Sequence, residues 1–321
     1  MSSTLSLSTS DIKTTHCEDA QQVTLNFAPI TAANMPLVWS YLQREPGRTC
    51  DFSFGGVLMW VDLFHYEMAI YDDTLFIKGR LENDLSKVAF SLPVGKLSVS
   101  ESIKVLKAYC RKEGLPLRFS AIPEYSMSDF MAANPKSIAQ LTDWADYLYD
   151  AEKLATLSGK KMAKKRNHVN QYVNLYGEET YEPLTLRNLP DVEAFMDRLD
   201  ADPAPGEQAA IERQLARDVL RLMEHEQTPL QGGLLRVDGR VVAFSVGDVK
   251  GDTLFVHIEK ADREIAGSYE MINKSFAADM VAHHPEIRFI NREDDAGDEG
   301  LRKAKQSYHP TELLKKYNVI F

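Results

Sequence analysis

The chain has little cysteine and no excess of positive charge. Its 321 residues include three cysteines, Cys17, Cys50 and Cys110, which stand far apart and form no CxxC pair. Such sparse cysteines exclude a disulfide scaffold and favour a reducing, cytoplasmic setting. Lys and Arg total 37 against 47 Asp and Glu, which gives a net charge of −10. The chain therefore lacks the basic surplus of a chromatin-type binder, and any contact with nucleic acid needs a local basic patch.

Long apolar runs are also lacking. No stretch approaches the roughly 18–20 consecutive apolar residues that cross a bilayer. The first twenty residues carry neither a basic start nor an apolar core, so they do not have the form of a secretory signal. The hydrophobic content of 44% is nevertheless enough for a sizeable core, which excludes disorder as the main state. The composition predicts a globular chain without a transmembrane segment.

The length favours two domains, since domains usually run to about 100–200 residues. Residues 1–24 are rich in Ser and Thr without apolar periodicity, and we interpret them as a flexible leader. Residues 25–180 and 181–321 form the predicted N-terminal and C-terminal domains. Each mixes hairpin signals with alternating helical and strand patterns, which is typical of an α/β or α+β sheet flanked by helices.

Local patterns place the elements of each predicted domain. In the first, they predict helices at 35–42, 101–113 and 159–176, a hairpin of strands 66–71 and 74–78, and strands at 88–95, 117–122 and 145–149. In the second, they predict helices at 191–199, 207–226, 269–283 and 300–307, a strand at 287–291, a helix-strand tail at 311–321, and a meander of strands 234–237, 241–247 and 253–259. Both domains pass from a meander to helices and strands, which suggests a duplicated architecture.

The end of the third meander strand carries an imidazole and a carboxylate. On a regular strand His257 and Glu259 project to the same side, so the pair could share one cleft and act as acid and base. The alternative is a solvated strand end that happens to be polar.

A small-residue turn leads into the helix predicted at 269–283. Arg263, Gly267 and Ser268 could hold a phosphate through backbone amides at the positive end of that helix. The turn is loosely similar to the pyrophosphate loop of acetyltransferases. A helix entry that needs a small residue for close packing is the other interpretation.

Polar residues follow the buried-looking strand that ends at Asn291. Asn291, Arg292, Glu293 and Asp294 would lie at the carboxyl end of a central strand, where α/β sheets open their clefts. The spacing is not that of an EF-hand, and we predict no metal. In the next helix, Arg302 and Lys305 are three apart on one face as anion binders, and Tyr308 is either a hydroxyl donor or a packing residue.

One run is strongly basic. Lys160, Lys161, Lys164, Lys165 and Arg166 crowd two helical turns, where they repel one another. This self-repulsion in an acidic chain predicts a polyanionic partner, with a plain solvated helix as the alternative.

Several of these motifs together resemble one family. The segments DYLY at 146–149, LSGKK at 157–161, KKRNH at 164–168, HIEKAD at 257–262, INRED at 290–294 and GLRKAKQSYHP at 300–310 are similar to the lysylphosphatidylglycerol synthase C-terminal-like family. The resemblance implies two tandem GNAT-like (acyltransferase) folds and an aminoacyl-tRNA-dependent transferase. The lipid-modifying enzymes that it resembles have a multi-helix membrane domain, which this sequence lacks. The acceptor is therefore left open between a lipid at a membrane surface, a peptide and a small molecule.

The chemistry of such a transfer suggests roles for these residues. An aminoacyl ester is already activated, so the enzyme mainly aligns the acceptor, removes its proton and stabilises the oxyanion. His257 or Glu259 would be the base or an aligning group, Tyr308 the proton donor, and Asn291 to Asp294 the acceptor pocket. The expected phosphate binders are Arg263, Gly267, Ser268, Arg302 and Lys305. No tightly bound cofactor is expected; aminoacyl-tRNA is the co-substrate, gripped by the basic helix. The alternatives are an N-acetyltransferase that uses acyl-CoA and a non-catalytic binding module.

Overall fold

Two mixed β-sheets organise the chain, and each is covered by helices. The computed structural model describes residues 24–178, 180–201, 207–224 and 228–321. Within them, the helices are α1 (Met35–Leu42), α2 (Phe54–Phe64), α3 (Val99–Glu113), α4 (Met127–Ala132), α5 (Ala151–Thr156), α6 (Ala163–Tyr176), α7 (Leu189–Ala201), α8 (Glu207–Leu222), α9 (Ser268–His283) and α10 (Glu299–Gln306). The α/β class that the sequence predicts is confirmed.

The strands follow the predicted hairpins closely. They are β1 (Ala28–Pro29), β2 (Glu67–Tyr71), β3 (Thr74–Leu81), β4 (Asp84–Phe90), β5 (Val94–Gly95), β6 (Arg118–Pro123), β7 (Ser137–Gln140), β8 (Asp146–Asp150), β9 (Tyr181–Pro183), β10 (Gln231–Val237), β11 (Arg240–Lys250), β12 (Thr253–Ala261), β13 (Phe289–Asn291), β14 (Glu312–Leu314) and β15 (Lys316–Ile320). The turn of the β2–β3 hairpin has positive φ at Asp72 and Asp73, which suits its two-residue loop.

The strand order shows how the sheets are joined. In the described residues the first sheet runs β1-β2-β3-β4-β6-β15-β7, with β5 on β3, and the second runs β14-β8-β13-β12-β11-β10-β9. Thus β8, which precedes residue 180, belongs to the second sheet, and β15, which follows it, belongs to the first. The division into domains at residue 180 stays a prediction. The predicted leader lies, except for Thr24, outside the described residues.

Two apolar cores hold the layers together. One contains side chains from both sheets, including Phe76, Phe119 and Phe244, with those of α2, α7 and α8. The other lies on the opposite face of the second sheet, between that sheet and α5, α6 and α9, and includes Tyr149 and Phe276. The second sheet thus has helices on both faces, so its central strands β11 and β12 present some side chains to α2 and others to α9.

One predicted element was wrong and one helix was not predicted. The helix-strand tail predicted at 311–321 does contain a strand, β15, but its helical part is instead β14, because pairing with β8 satisfies its backbone groups. The helix α2 at Phe54–Phe64, which contains Gly55 and Gly56, was not predicted from the sequence. Both glycines are needed for close packing: a Cβ at Gly56 would lie 2.0 Å from the carbonyl oxygen of Cys50. The end of the helix predicted at 207–226 lies partly outside the described residues.

Candidate functional site

The loop that follows β13 organises the polar interior. The side chain of Asn291 accepts a hydrogen bond from the backbone N–H of Glu293 (2.6 Å), and Glu293 has a left-handed φ of 56°. The ammonium of Lys305 donates to the backbone carbonyl oxygens of Arg292 (2.6 Å) and Asp294. This network fixes a tight loop from which the side chains of Arg292 and Glu293 reach different partners.

Arg292 is the centre of a buried ionic group. Its Nη2 lies 2.7 Å from Oε1 of Glu259, whose other oxygen accepts from the amide of Asn273 on α9 (3.0 Å). The guanidinium also lies 4.8 Å from the ring centre of Tyr308. Burial raises the pKa of Tyr308, so its phenol stays protonated. We call the following six residues the Arg292 cluster: Arg292, Glu259, Asn273, Tyr308, Lys165 and Glu270.

Lys165 enters the same cluster from α6. Its Nζ lies 3.2 Å from Oε1 of Glu270 and 4.0 Å from the ring centre of Tyr308, and only 14% of its side chain is exposed. By contrast, Lys160, Lys161 and Lys164 are exposed. Arg166 donates to the backbone carbonyls of Leu157 and Gly159. The predicted basic run therefore separates into three solvent-facing lysines and two residues held by the protein.

Two polar atoms of the Arg292 cluster have no partner. Nη1 of Arg292 is a buried donor and Oδ1 of Asn273 a buried acceptor, and neither has a hydrogen-bond partner within the described residues. Buried polar groups are rarely left unpaired in proteins. Arg292 and Asn273 bind opposite oxygens of the Glu259 carboxylate through Nη2 and Nδ2, and each keeps one further polar atom unpaired. This donor and acceptor are therefore the clearest sign of a ligand position.

Strand alternation predicted that His257 and Glu259 share one cleft, but in the structure their side chains contact different helices. Val246 on β11 pairs with Ile258, whereas the next residue, Gly247, pairs with Val256, so His257 is an extra residue in a bulge. A bulge breaks the alternation of side chains. Glu259 contacts α9, whereas His257 lies against α2, where a Cβ at Gly55 would lie 2.4 Å from the imidazole.

Two carboxylates enclose His257. Its Nε2 lies 2.8 Å from Asp248 and its Nδ1 2.7 Å from Glu293, and its side chain is fully buried. Burial by itself would lower the pKa of His257, but Asp248 and Glu293 raise it to about 10. The imidazole is then protonated near neutral pH and cannot accept a proton. The raised pKa therefore argues against His257 as the base and leaves Glu259 as the candidate.

The predicted phosphate binders already have protein partners. Arg302 forms ion pairs with Asp295 (2.6 Å) and Asp143 (2.8 Å), and Lys305 is buried on backbone carbonyls. Gly267 packs so closely on α6 that a Cβ would lie 2.3 Å from the carbonyl oxygen of His168, which agrees with a packing role. Their role toward phosphate stays a prediction, as does that of Arg263 and of Ser268, whose hydroxyl donates to the carbonyl of Asp262.

A second buried cluster, which the sequence did not indicate, ties the two sheets together. The ammonium of Lys316 on β15 lies 2.7 Å from Asp146 on β8, 2.8 Å from Asp51 and 3.4 Å from Sγ of Cys50. We call these four residues the Lys316 cluster. Cys50, Asp146 and the nearby Asp294 offer ligand atoms within 4.8 Å of one another, but the ammonium of Lys316 already supplies a positive charge there.

Replacing Asp294 with Asn should change how stability depends on pH. Burial raises the pKa of Asp294 from 3.8 to about 7, with Asp146 adding repulsion against the attraction of Lys316. The folded protein thus favours the protonated carboxyl, so this group's contribution is present at low pH and is lost as the pH rises through about 7. We expect Asp294→Asn to raise the melting temperature by a few degrees at pH 8 and to change it little at pH 5.

The control for that experiment is Asp238→Asn, in the exposed turn between β10 and β11, which should shift the melting temperature equally at both pH values. A gain for Asp294→Asn that is larger at pH 5 than at pH 8 would contradict the buried, protonated carboxyl.

Two shallow cavities lie on the described part of the chain. One is lined by apolar residues around Leu184, Leu186 and Leu230, and the other by the segment 43–48 together with residues 250–252. Neither is lined by a predicted site residue. Among the described residues no helix has the length and apolarity to cross a membrane.

Solved structures show which class of protein this fold defines. A conserved protein of unknown function from Bacteroides thetaiotaomicron is 32% identical, with 93% of this chain and 100% of that chain covered and a TM-score of 0.82. The C-terminal domain of a putative lysylphosphatidylglycerol synthetase from Agrobacterium fabrum is 13% identical (90% and 92% covered, TM-score 0.62), and FemX is 8% identical (92% and 97%, TM-score 0.59). The fold is that of the GNAT-like tandem acyltransferases.

The family follows from the sequence. Residues 43–320 match the family model described as phosphatidylglycerol lysyltransferase, C-terminal, and the chain belongs to that family. An uncharacterised protein from Mycoplasmoides gallisepticum is 27% identical over 175 residues, which are 54% of this chain and 55% of that protein. The chain thus spans about half the length of the curated relative it matches.

Proposed function

We propose that the protein transfers an aminoacyl group from aminoacyl-tRNA to an acceptor amine or hydroxyl at the Arg292 cluster. The observation that carries the proposal is the unpartnered pair, Nη1 of Arg292 and Oδ1 of Asn273. An aminoacyl ester complements both atoms, since its carbonyl oxygen accepts a hydrogen bond and its α-amino group donates one. An acetyl group has no N–H and would leave Oδ1 of Asn273 unpaired, which is costly when buried.

The chemistry needs no covalent intermediate. The acceptor attacks the ester carbonyl, a new C–N or C–O bond forms, and the C–O bond to the ribose of the tRNA breaks. Glu259 accepts the acceptor's proton, Tyr308 donates one to the leaving ribose oxygen, and proton exchange restores both groups. Nη1 of Arg292 stabilises the oxyanion as charge develops on the carbonyl oxygen.

Helix α6 supports the choice of tRNA as donor. It carries Lys165 into the cluster, while the preceding residue Lys164, with Lys160 and Lys161 just before the helix, faces solvent. In an acidic chain, three exposed lysines beside the site are a local surface for a polyanion.

Removing those charges should weaken tRNA binding. We expect the triple variant Lys160→Gln, Lys161→Gln and Lys164→Gln to lower the affinity for charged tRNA by at least tenfold near 0.1 M salt. The slope of log K against log salt should become shallower by about two to three, because each phosphate contact contributes about 0.7–0.9. Filter binding at several salt concentrations measures both quantities.

The matched control removes three exposed lysines elsewhere, Lys104, Lys112 and Lys303, and should leave the affinity nearly unchanged. Equal losses in both triple variants would mean that only net charge matters. Thermal stabilisation of the wild type by acetyl-CoA but not by charged tRNA would favour the acetyltransferase, and stabilisation by neither, together with no transfer, would favour a binding module.

A further inference from the structure

Two consecutive lysines of α6 have opposite environments. Lys164 is exposed, whereas 14% of the side chain of Lys165 is exposed and its ammonium contacts Glu270 and the ring of Tyr308. Adjacent helical positions point about 100° apart, so one helix can face both solvent and the interior. The charge of Lys165 is therefore unavailable to a phosphate backbone that binds the exposed lysines.

The surroundings of Lys165 are the groups that the proposed transfer uses. The ring of Tyr308 has the ammonium of Lys165 at 4.0 Å and the guanidinium of Arg292 at 4.8 Å from its centre. Glu270, at the first turn of α9, is 15% exposed at its side chain and has Lys165 as its nearest cation, with the imidazole of His168 at 3.8 Å. Loss of the Lys165 charge would leave the Glu270 carboxylate largely uncompensated and release one side of Tyr308.

We infer that Lys165 is a positioning residue of the acyl-transfer site: it holds Tyr308 and Glu270 in place beside Arg292 and does not bind tRNA. The inference rests on the proposed function. It separates two neighbouring residues that the sequence alone places in one basic run, and it predicts that they affect different kinetic quantities.

The test compares Lys165→Met, Lys165→Arg, Lys164→Met and Lys104→Met in the full chain. For Lys165→Met we expect the dissociation constant for charged tRNA to stay within about twofold and the single-turnover rate at saturating tRNA to fall at least about tenfold. Lys165→Arg should recover part of that rate, because it keeps the charge. Lys164→Met should weaken tRNA binding and reduce the salt slope by about one, and Lys104→Met should change neither quantity.

Weakened tRNA binding by Lys165→Met, with an unchanged rate at saturation, would overturn the inference. A rate loss that Lys165→Arg does not relieve at all would also overturn it, since the charge would then not be what matters. Melting temperatures show whether Lys165→Met is folded under the assay conditions.

A second measurement needs no transfer activity. In the free wild-type protein, an amine-specific reagent followed by peptide mass analysis should modify Lys165 at least about tenfold more slowly than Lys164, because only 14% of the Lys165 side chain is exposed and the reagent cannot readily reach its amine. Equal rates would overturn the placement of Lys165 whatever the enzyme does. Slow labelling of Lys165 in a protein that transfers no aminoacyl group would instead overturn the proposed function, and with it the site role of Lys165.

Discussion

Arg292→Lys is expected to lower the rate of aminoacyl transfer at saturating tRNA by about 100- to 1,000-fold while the protein stays folded. Lysine keeps the positive charge beside Glu259 but loses the planar fork that lets arginine bond a carboxylate with one nitrogen and a ligand with another. In the structure Nη2 is committed to Glu259 and Nη1 is unpartnered. The loss should therefore appear in the transfer rate far more than in the affinity for tRNA.

A second arginine provides the control. Arg236 on β10 also forms charged hydrogen bonds, with Glu182 (2.6 Å) and Asp191 (2.9 Å), but it lies outside the Arg292 cluster. Arg236→Lys should leave the transfer rate within about threefold. A similar loss in both variants would indicate a general effect on folding, and full activity in Arg292→Lys would remove Arg292 from the mechanism.

Lys316→Met should destabilise the protein by about 3–5 kcal/mol, the usual consequence of removing one partner of a buried ion pair. Burial by itself would lower the pKa of Lys316, but Asp146 and Asp51 hold it well above its usual value. The side chains of Lys316 and Asp146 are 2% and 0% exposed, so methionine would leave that carboxylate buried without its cation. Denaturant unfolding followed by circular dichroism measures the change in the free energy of unfolding.

The neighbouring lysine is the matched control. Lys315 pairs with Glu124 at 2.9 Å, but both side chains are exposed, so Lys315→Met should change stability little. Equal effects of the two substitutions would contradict the tight coupling of β15 to β8 through Lys316. The ion pair of Lys316 with Asp146 connects the first sheet to the second. Its loss should therefore also reduce the cooperativity of unfolding.

Much of the fold was predictable because local signals specify it. The Asp72-Asp73 and Asp238-Gly239 turns fixed hairpins that the structure confirms, since tight turns between β-prone runs leave few alternatives. The predicted tail helix was wrong for the opposite reason. Residues 311–321 have no strong local preference, and strand edges distant in the sequence decided their conformation.

The candidate site was predictable only in part. Glu259, Arg292 and Tyr308 stood out because they lie in dense polar motifs near the ends of predicted strands and helices, and they meet in the structure. The pairing of His257 with Glu259 failed because a bulge has no signature in the residue types alone. Lys165 was grouped with its exposed neighbours, because the residue types of a basic run do not show which side chain lies toward the core.

The sequence by itself determined the hairpins, the longer helices, the fold class and the family, because turn residues, apolar periodicity and long motifs act over short stretches of chain. Tertiary structure alone decided which charges are buried together. Lys316 meets Asp146, and Lys165 meets Glu270, across separations of 170 and 105 residues. Such pairs depend on which strand edges and helix faces come together, and a buried charge is stable only where that packing supplies its partner.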